Sequence, residues 1–233
     1  MDRTFILVPG PPVRASSWAP TATVLMARGH AVQVPDVLAR TDTPPLWRDW
    51  STHLLEQIVA RGDVVLVGHS SATALVAELA TRLPAAGLIF VDGDVPPAHG
   101  RAVALRPALR EFVASLADET GRLPVWSGWH MGDPERARRV GIDQLAAVPD
   151  RLAEFEAGLP QLTLSWFDDA IDLAPWGDVP TAYIQTSPIY DHALADARSR
   201  GWPVARLEGT HLHPALEPEE TAQAIVGIAA CLR

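Results

Sequence analysis

Short apolar runs recur along this chain, and each is followed by a helical pattern. Phe5-Ile6-Leu7-Val8 comes first and stops at Pro9-Gly10-Pro11-Pro12. Ala31-Val32-Gln33-Val34, Val64-Val65-Leu66-Val67, Leu88-Ile89-Phe90-Val91, Ala182-Tyr183-Ile184 and the run over 204–207 follow. A strand with one wet face alternates apolar and polar residues. A strand buried on both faces reads as an unbroken apolar run, as in a parallel sheet covered by helices. Between the runs, helical spacing is expected over 16–27, over 46–59 (Leu46, Trp50, Leu54, Ile58), from Ala72 to Leu79, and over 219–230. The alternation predicts an α/β fold with a doubly wound, mostly parallel sheet.

One stretch breaks the rhythm. Between about 95 and 179 no strand is expected, only helical patterns near 102–117, 134–147 and 150–158. They flank a Gly- and Trp-rich loop, Pro124 to Gly132. This reads as a helical insertion over one end of the sheet, within a single domain, since 233 residues suit one sizeable core.

Composition removes several chemistries. All 19 basic residues are arginine. Without lysine there is no Schiff base, no pyridoxal-phosphate anchor and no P-loop amine. A net charge of −9 supplies no field for nucleic acid, so no nucleic-acid partner is expected. The one cysteine, Cys231, excludes a disulfide framework and a Cys-based metal cluster. Met1-Asp2-Arg3 runs straight into apolar residues with no basic n-region or cleavage site, and no apolar run approaches a membrane span. A soluble, cytoplasmic protein with no membrane partner is the expectation; oligomeric state is not legible.

The third run ends in Gly68-His69-Ser70-Ser71-Ala72, where a helix begins at once. A serine at the apex of a sharp strand-to-helix turn needs small residues two before and two after it. Around Ser70 these are Gly68 and Ala72; around Ser71 they would be His69 and Thr73. Ser70 is therefore the candidate nucleophile, with the Ser71 amide at the positive helix end as an oxyanion donor. A serine nucleophile needs a base. His211 and His213, in Glu208-Gly209-Thr210-His211-Leu212-His213, follow the last strand at the sheet end where sites form. As an H-x-H metal half-site the pair lacks a third ligand cluster, so neither metal nor cofactor is expected.

Ser70, an acid and a histidine in this order on these elements resemble the α/β-hydrolase superfamily, over nearly the whole chain. The resemblance selects His211 through Gly-Thr-His and the later Pro218-Glu219, and it identifies the insertion as a lid. It implies an acid after the penultimate strand, which is Asp191, ahead of Asp92 and Asp94 after the fourth run. The loop Ser187-Pro188-Ile189-Tyr190 is longer than that placement usually needs. A second oxyanion N–H is implied just after the first strand, but Pro11 and Pro12 have none. Val13 from a reshaped loop, or a side chain of His69 or Ser71, are the substitutes. Trp126, Trp129 and Trp166 in the lid, with His69, are the expected substrate contacts, and they favour an apolar or aromatic small molecule. Arg136, Arg138 and Arg139 are expected on a lid helix. The implied activity is serine hydrolysis of an ester, thioester or lactone. The alternative is non-hydrolytic chemistry, namely C–C cleavage, elimination or cyclisation. The missing lysine disfavours the hydroxynitrile-lyase subgroup, and Ser70 in place of aspartate disfavours dehalogenases and epoxide hydrolases.

Overall fold

A computed structural model describes residues 3–37, 47–59 and 61–232. Six parallel strands form the main sheet: β1 (Arg3–Val8), β2 (Ala31–Gln33), β3 (Asp63–His69), β4 (Gly87–Val91), β7 (Thr181–Gln185) and β8 (Val204–Arg206). Their order is β2-β1-β3-β4-β7-β8. The chain leaves β1 for one edge, then returns to β3 on the other side. That reversal is a topological switch point, where open α/β sheets build their sites.

The middles of β1, β3, β4 and β7 are apolar because successive side chains enter two cores. Ile6, Val8, Leu66, Phe90 and Tyr183 face one layer; Phe5, Leu7, Val65, Val67, Ile89 and Ile184 face the other. On the second side lie α1 (Ala19–Ala27) and the C-terminal α10 (Pro218–Ala229), through Leu25, Ala222 and Ile225. On the first lie α2 (Trp47–Gln57), α3 (Thr73–Ala80) and α8 (Asp191–Ser199). Trp50 and Leu54 of the expected α2 face are buried; Leu46 is outside the described residues.

Between β4 and β7 the chain carries α4 (Pro107–Leu116), α5 (Pro134–Val140), α6 (Ile142–Ala146) and α7 (Pro149–Ala157). The expectation that this stretch holds no strand is corrected. An antiparallel ribbon of β5 (Gly100–Val103) and β6 (Ala170–Leu173) ties its two ends together. Each strand has four residues, with Ala102, Ile171 and Leu173 buried and Arg101, Val103 and Asp172 exposed. The single helix expected over 134–147 is two, broken at Gly141 (φ 95°). A Cβ there would stand 2.4 Å from Thr210 Oγ1, so glycine lets the break dock against residue 210. Leu145, Phe155, Trp166 and Phe167 join the core under the sheet.

Candidate active site

Ser70 sits at the turn between β3 and α3 with φ 60°, a left-handed conformation that costs a non-glycine residue on the order of 1 kcal/mol. The neighbours explain why the turn tolerates little else. A Cβ on Gly68 would lie 2.6 Å from Val76 Cγ2 and 2.9 Å from the Ala72 carbonyl oxygen. Gly93, after β4, packs on the turn from the far side: a Cβ there would stand 2.3 Å from the Ser70 carbonyl oxygen. Gly93→Ala is therefore expected to cost about 1–3 kcal/mol, the usual range for overpacking. Thermal unfolding reads this as a lower midpoint; an unchanged midpoint would show that the β4 loop yields freely.

His211 leaves β8 on the loop ahead of α10 and turns its ring to Ser70. Its Nε2 lies 3.0 Å from Ser70 Oγ and its Nδ1 2.8 Å from Asp92 Oδ2. A carboxylate accepts, so Nδ1 carries the proton and Nε2 is free to accept from the serine hydroxyl. The carboxylate that the structure brings to His211 is Asp92, not the expected Asp191. Asp191 opens α8, is exposed, and accepts from Gln185 Nε2 at 2.6 Å. Asp94, the other alternative, faces outward to His192 at 2.6 Å. Asp92 is fully buried at the end of β4, itself left-handed with φ 42°. Its Oδ1 accepts the amides of Thr186 and Ser187 at 2.9 and 2.8 Å, and Oδ2 accepts the Ser187 hydroxyl at 2.6 Å. Burial alone would raise this carboxyl. The hydrogen bond and charge of His211, with the bonds from Ser187 and Thr186, outweigh it and hold the group below the ordinary aspartate range.

His211 is held from two sides. His69, fully buried, donates from Nε2 to the His211 carbonyl at 2.9 Å, with the two rings 4.6 Å apart. Burial, then the charge of His211, pushes His69 down to about 3, so it stays neutral. It supports the base and does not line the cavity beside the serine, contrary to its expected substrate role. From the insertion, the carbonyls of Arg139 and Val140 accept the amides of His211 and Leu212 at 3.2 and 2.9 Å. The rival His213 is turned away, onto Glu220 at 3.2 Å.

The cavity, about 170 Å³, opens on Ser70, Ser71 and Tyr190. Its walls are largely apolar (Ala74, Val95, Pro97, Ala102, Leu105, Leu109), with Asp94, Arg101 and Arg106 also on it. None of the three expected tryptophan contacts lines this cavity. Trp129 donates to the Pro124 carbonyl and packs on Phe167; Trp166 packs on Trp50. Trp126 comes nearest, its ring 6.4 Å from His211, with His130 edge-on to it. Large flat rings serve here to pack the insertion together. Of the arginines, Arg136 covers the Phe112 ring and Arg139 pairs with Glu135.

Val13 as an oxyanion donor is also corrected. Its amide donates to the Gly10 carbonyl at 3.0 Å, within the tight turn that the two prolines make. Ser71 remains in the turn ahead of α3, where first-turn amides have no partner further back in the helix. Tyr190, which sequence reasoning passed over, borders the cavity beside Ser70 and stacks its ring on His211 at 5.5 Å. The extra length of the 187–190 loop was the available signal.

A sequence profile described as the alpha/beta hydrolase family matches residues 5–224, and the chain belongs to that family. No curated protein sequence matches the chain. Among solved structures, the chain is similar to an extracellular alpha/beta-hydrolase from a Paenibacillus species. That likeness has 19% identity and a TM-score of 0.76, over 97% of this chain and 98% of that one. It is similar to tomato methylketone synthase I in complex with 2-tridecanone at 19% identity and TM-score 0.76, over 100% of both chains. A third is polyneuridine aldehyde esterase, at 19% identity and TM-score 0.73, over 98% of this chain and 100% of that one. Identities this low speak for the shared fold.

Proposed function

We propose that the protein is a serine hydrolase acting on a compact ester, thioester or lactone through an acyl-serine intermediate. The observation that carries the reading is the unbroken relay from Asp92 through His211 to Ser70, ending at a cavity. In this mechanism Ser70 Oγ attacks the carbonyl carbon while His211 Nε2 takes its proton. The imidazolium is stabilised by Asp92 and returns the proton to the leaving group. Water then repeats the sequence on the acyl enzyme. The cavity volume resembles that of an apolar cavity of about 150 Å³ known to hold benzene, so the bound portion is about ring-sized. Apolar walls favour an apolar or aromatic group there. The esterase among the structural neighbours is in keeping with this. The insertion acts as a lid within one domain, and the partner is a small molecule.

A second reading, non-hydrolytic chemistry on the same scaffold, is favoured by one observation: the loop after β1 presents Pro11, Pro12 and an engaged Val13 amide. A fluorophosphonate probe separates the two. The expected result is a single adduct on Ser70, lost in Ser70→Ala, together with turnover of p-nitrophenyl acetate. A folded sample that takes no adduct and cleaves no ester favours the second reading.

A further inference from the structure

An oxyanion needs more than one donor, and removing one typically costs about 100-fold or more in turnover. The described loop after β1 is poor in them. Pro11 and Pro12 have no N–H, and the amides of Val13 and Arg14 both go to the Gly10 carbonyl, at 3.0 and 3.1 Å. His69 Nε2 is committed to the His211 carbonyl.

Across the site, Tyr190 is a side-chain donor on the same cavity as the nucleophile. It ends the turn Pro188–Tyr190 after β7 and is 5% exposed. Its ring stacks on His211 with centroids 5.5 Å apart and planes at 29°, so the phenol cannot swing away without unstacking from the base. The guanidinium of Arg106 lies 5.9 Å from its ring centroid. Tyr190 borders the cavity that Ser70 and Ser71 also border. Ser70 directs its own proton to His211 Nε2, so the Tyr190 phenol is left to donate into the cavity. Burial, reinforced by Asp94 and Asp92, raises the phenol above its ordinary range, and it stays protonated wherever the enzyme works.

We propose that the Tyr190 hydroxyl supplies the second oxyanion donor, in place of the missing backbone N–H after β1. The proposal rests on the serine-hydrolase reading above. As the Ser70 Oγ–carbon bond forms, the carbonyl π pair moves onto oxygen and the serine proton passes to His211. Tyr190 keeps its own proton and donates a hydrogen bond to that oxygen. When the carbonyl reforms, the bond to the leaving group breaks and the leaving group takes the proton from His211.

The test is Tyr190→Phe, which keeps the ring stack and removes only the donor. With p-nitrophenyl acetate, kcat is expected to fall about 100-fold with KM within about twofold. Affinity for phenylboronic acid, which forms a tetrahedral anion on serine, is expected to fall in parallel. The loss should be equal for p-nitrophenyl and phenyl acetate. A loss confined to the poorer leaving group overturns the proposal, because Tyr190 then serves that oxygen instead. Unchanged kcat and boronate affinity overturn it as well. If Tyr190→Phe fails to fold, 3-fluorotyrosine at 190, a stronger hydrogen-bond donor on the same ring, is expected to raise boronate affinity, and an affinity unchanged from the wild type is the contrary result. A wild-type protein that neither takes a fluorophosphonate nor hydrolyses esters sinks the serine-hydrolase reading itself. An active wild type with an unaffected variant sinks only the role of Tyr190.

Discussion

Asp92→Asn is expected to lower kcat on p-nitrophenyl acetate by about four orders of magnitude, the usual result of an asparagine at the acid of a serine triad. The cause is the tautomer of His211. Asp92 Oδ1 accepts two backbone amides, from Thr186 and Ser187, so an asparagine would keep its carbonyl there. Its NH₂ would then take the place of Oδ2, against His211 Nδ1 and the Ser187 hydroxyl. Two donors cannot face each other, so the imidazole moves its proton to Nε2 and can no longer accept from Ser70. The replacement is isosteric, so the fold should survive. Asp191→Asn serves as the control. Asp191 is exposed and touches Gln185, so kcat should stay within about twofold. Steady-state kinetics on the two variants decide the matter; a collapse in Asp191→Asn with Asp92→Asn active would reverse the assignment.

Acid is expected to destabilise the protein well above the pH at which its carboxylates titrate. His69 and His130 are both buried, and burial pushes each down to about 3 from an ordinary 6.5, with the charge of His211 acting the same way. Between those values the unfolded chain binds a proton at each position and the folded chain does not. Stability from this source is complete above pH 6.5 and is lost as pH falls toward 3, by about 1.4 kcal/mol per pH unit for each histidine. From pH 7 to 5 the pair amounts to about 4 kcal/mol, a large share of the roughly 5–15 kcal/mol typical of a domain. Asp92, held below its ordinary 3.8, adds its own loss only beneath that value. Urea unfolding at pH 7, 6 and 5 measures the slope. His130→Phe should halve it, since that ring sits between Trp126 and Phe112 with no hydrogen-bond partner on either buried nitrogen among the described residues. A slope the substitution leaves intact would place the titration elsewhere.

The main sheet was legible because burial on both faces leaves an unmistakable trace: no polar residue interrupts Leu88 to Val91 or Val64 to Val67. The ribbon was not. Gly100–Val103 and Ala170–Leu173 are too short for alternation to stand out, and their pairing spans 70 residues of sequence. Ser70 was legible because the turn's crowding writes itself into Gly68 and Ala72. The acid was harder. Asp92, Asp94 and Asp191 all follow strand ends, and what separates them lies in three dimensions: a left-handed backbone at 92 and two amides from just past the end of the neighbouring β7. The tryptophans misled for a related reason. Large rings in an insertion fit its interior as well as they fit a ligand, and only neighbours such as Phe167 and Trp50 tell the two apart.

The bonds from Arg139 and Val140 to His211 and Leu212, with Gly141 wedged against Thr210, make the end of α5 and the base a single mechanical piece. A cover hinged there could not lift without carrying the imidazole off the serine. Traffic to Ser70 that leaves the relay assembled has to pass on the other flank, where Arg101 and Arg106 border the cavity.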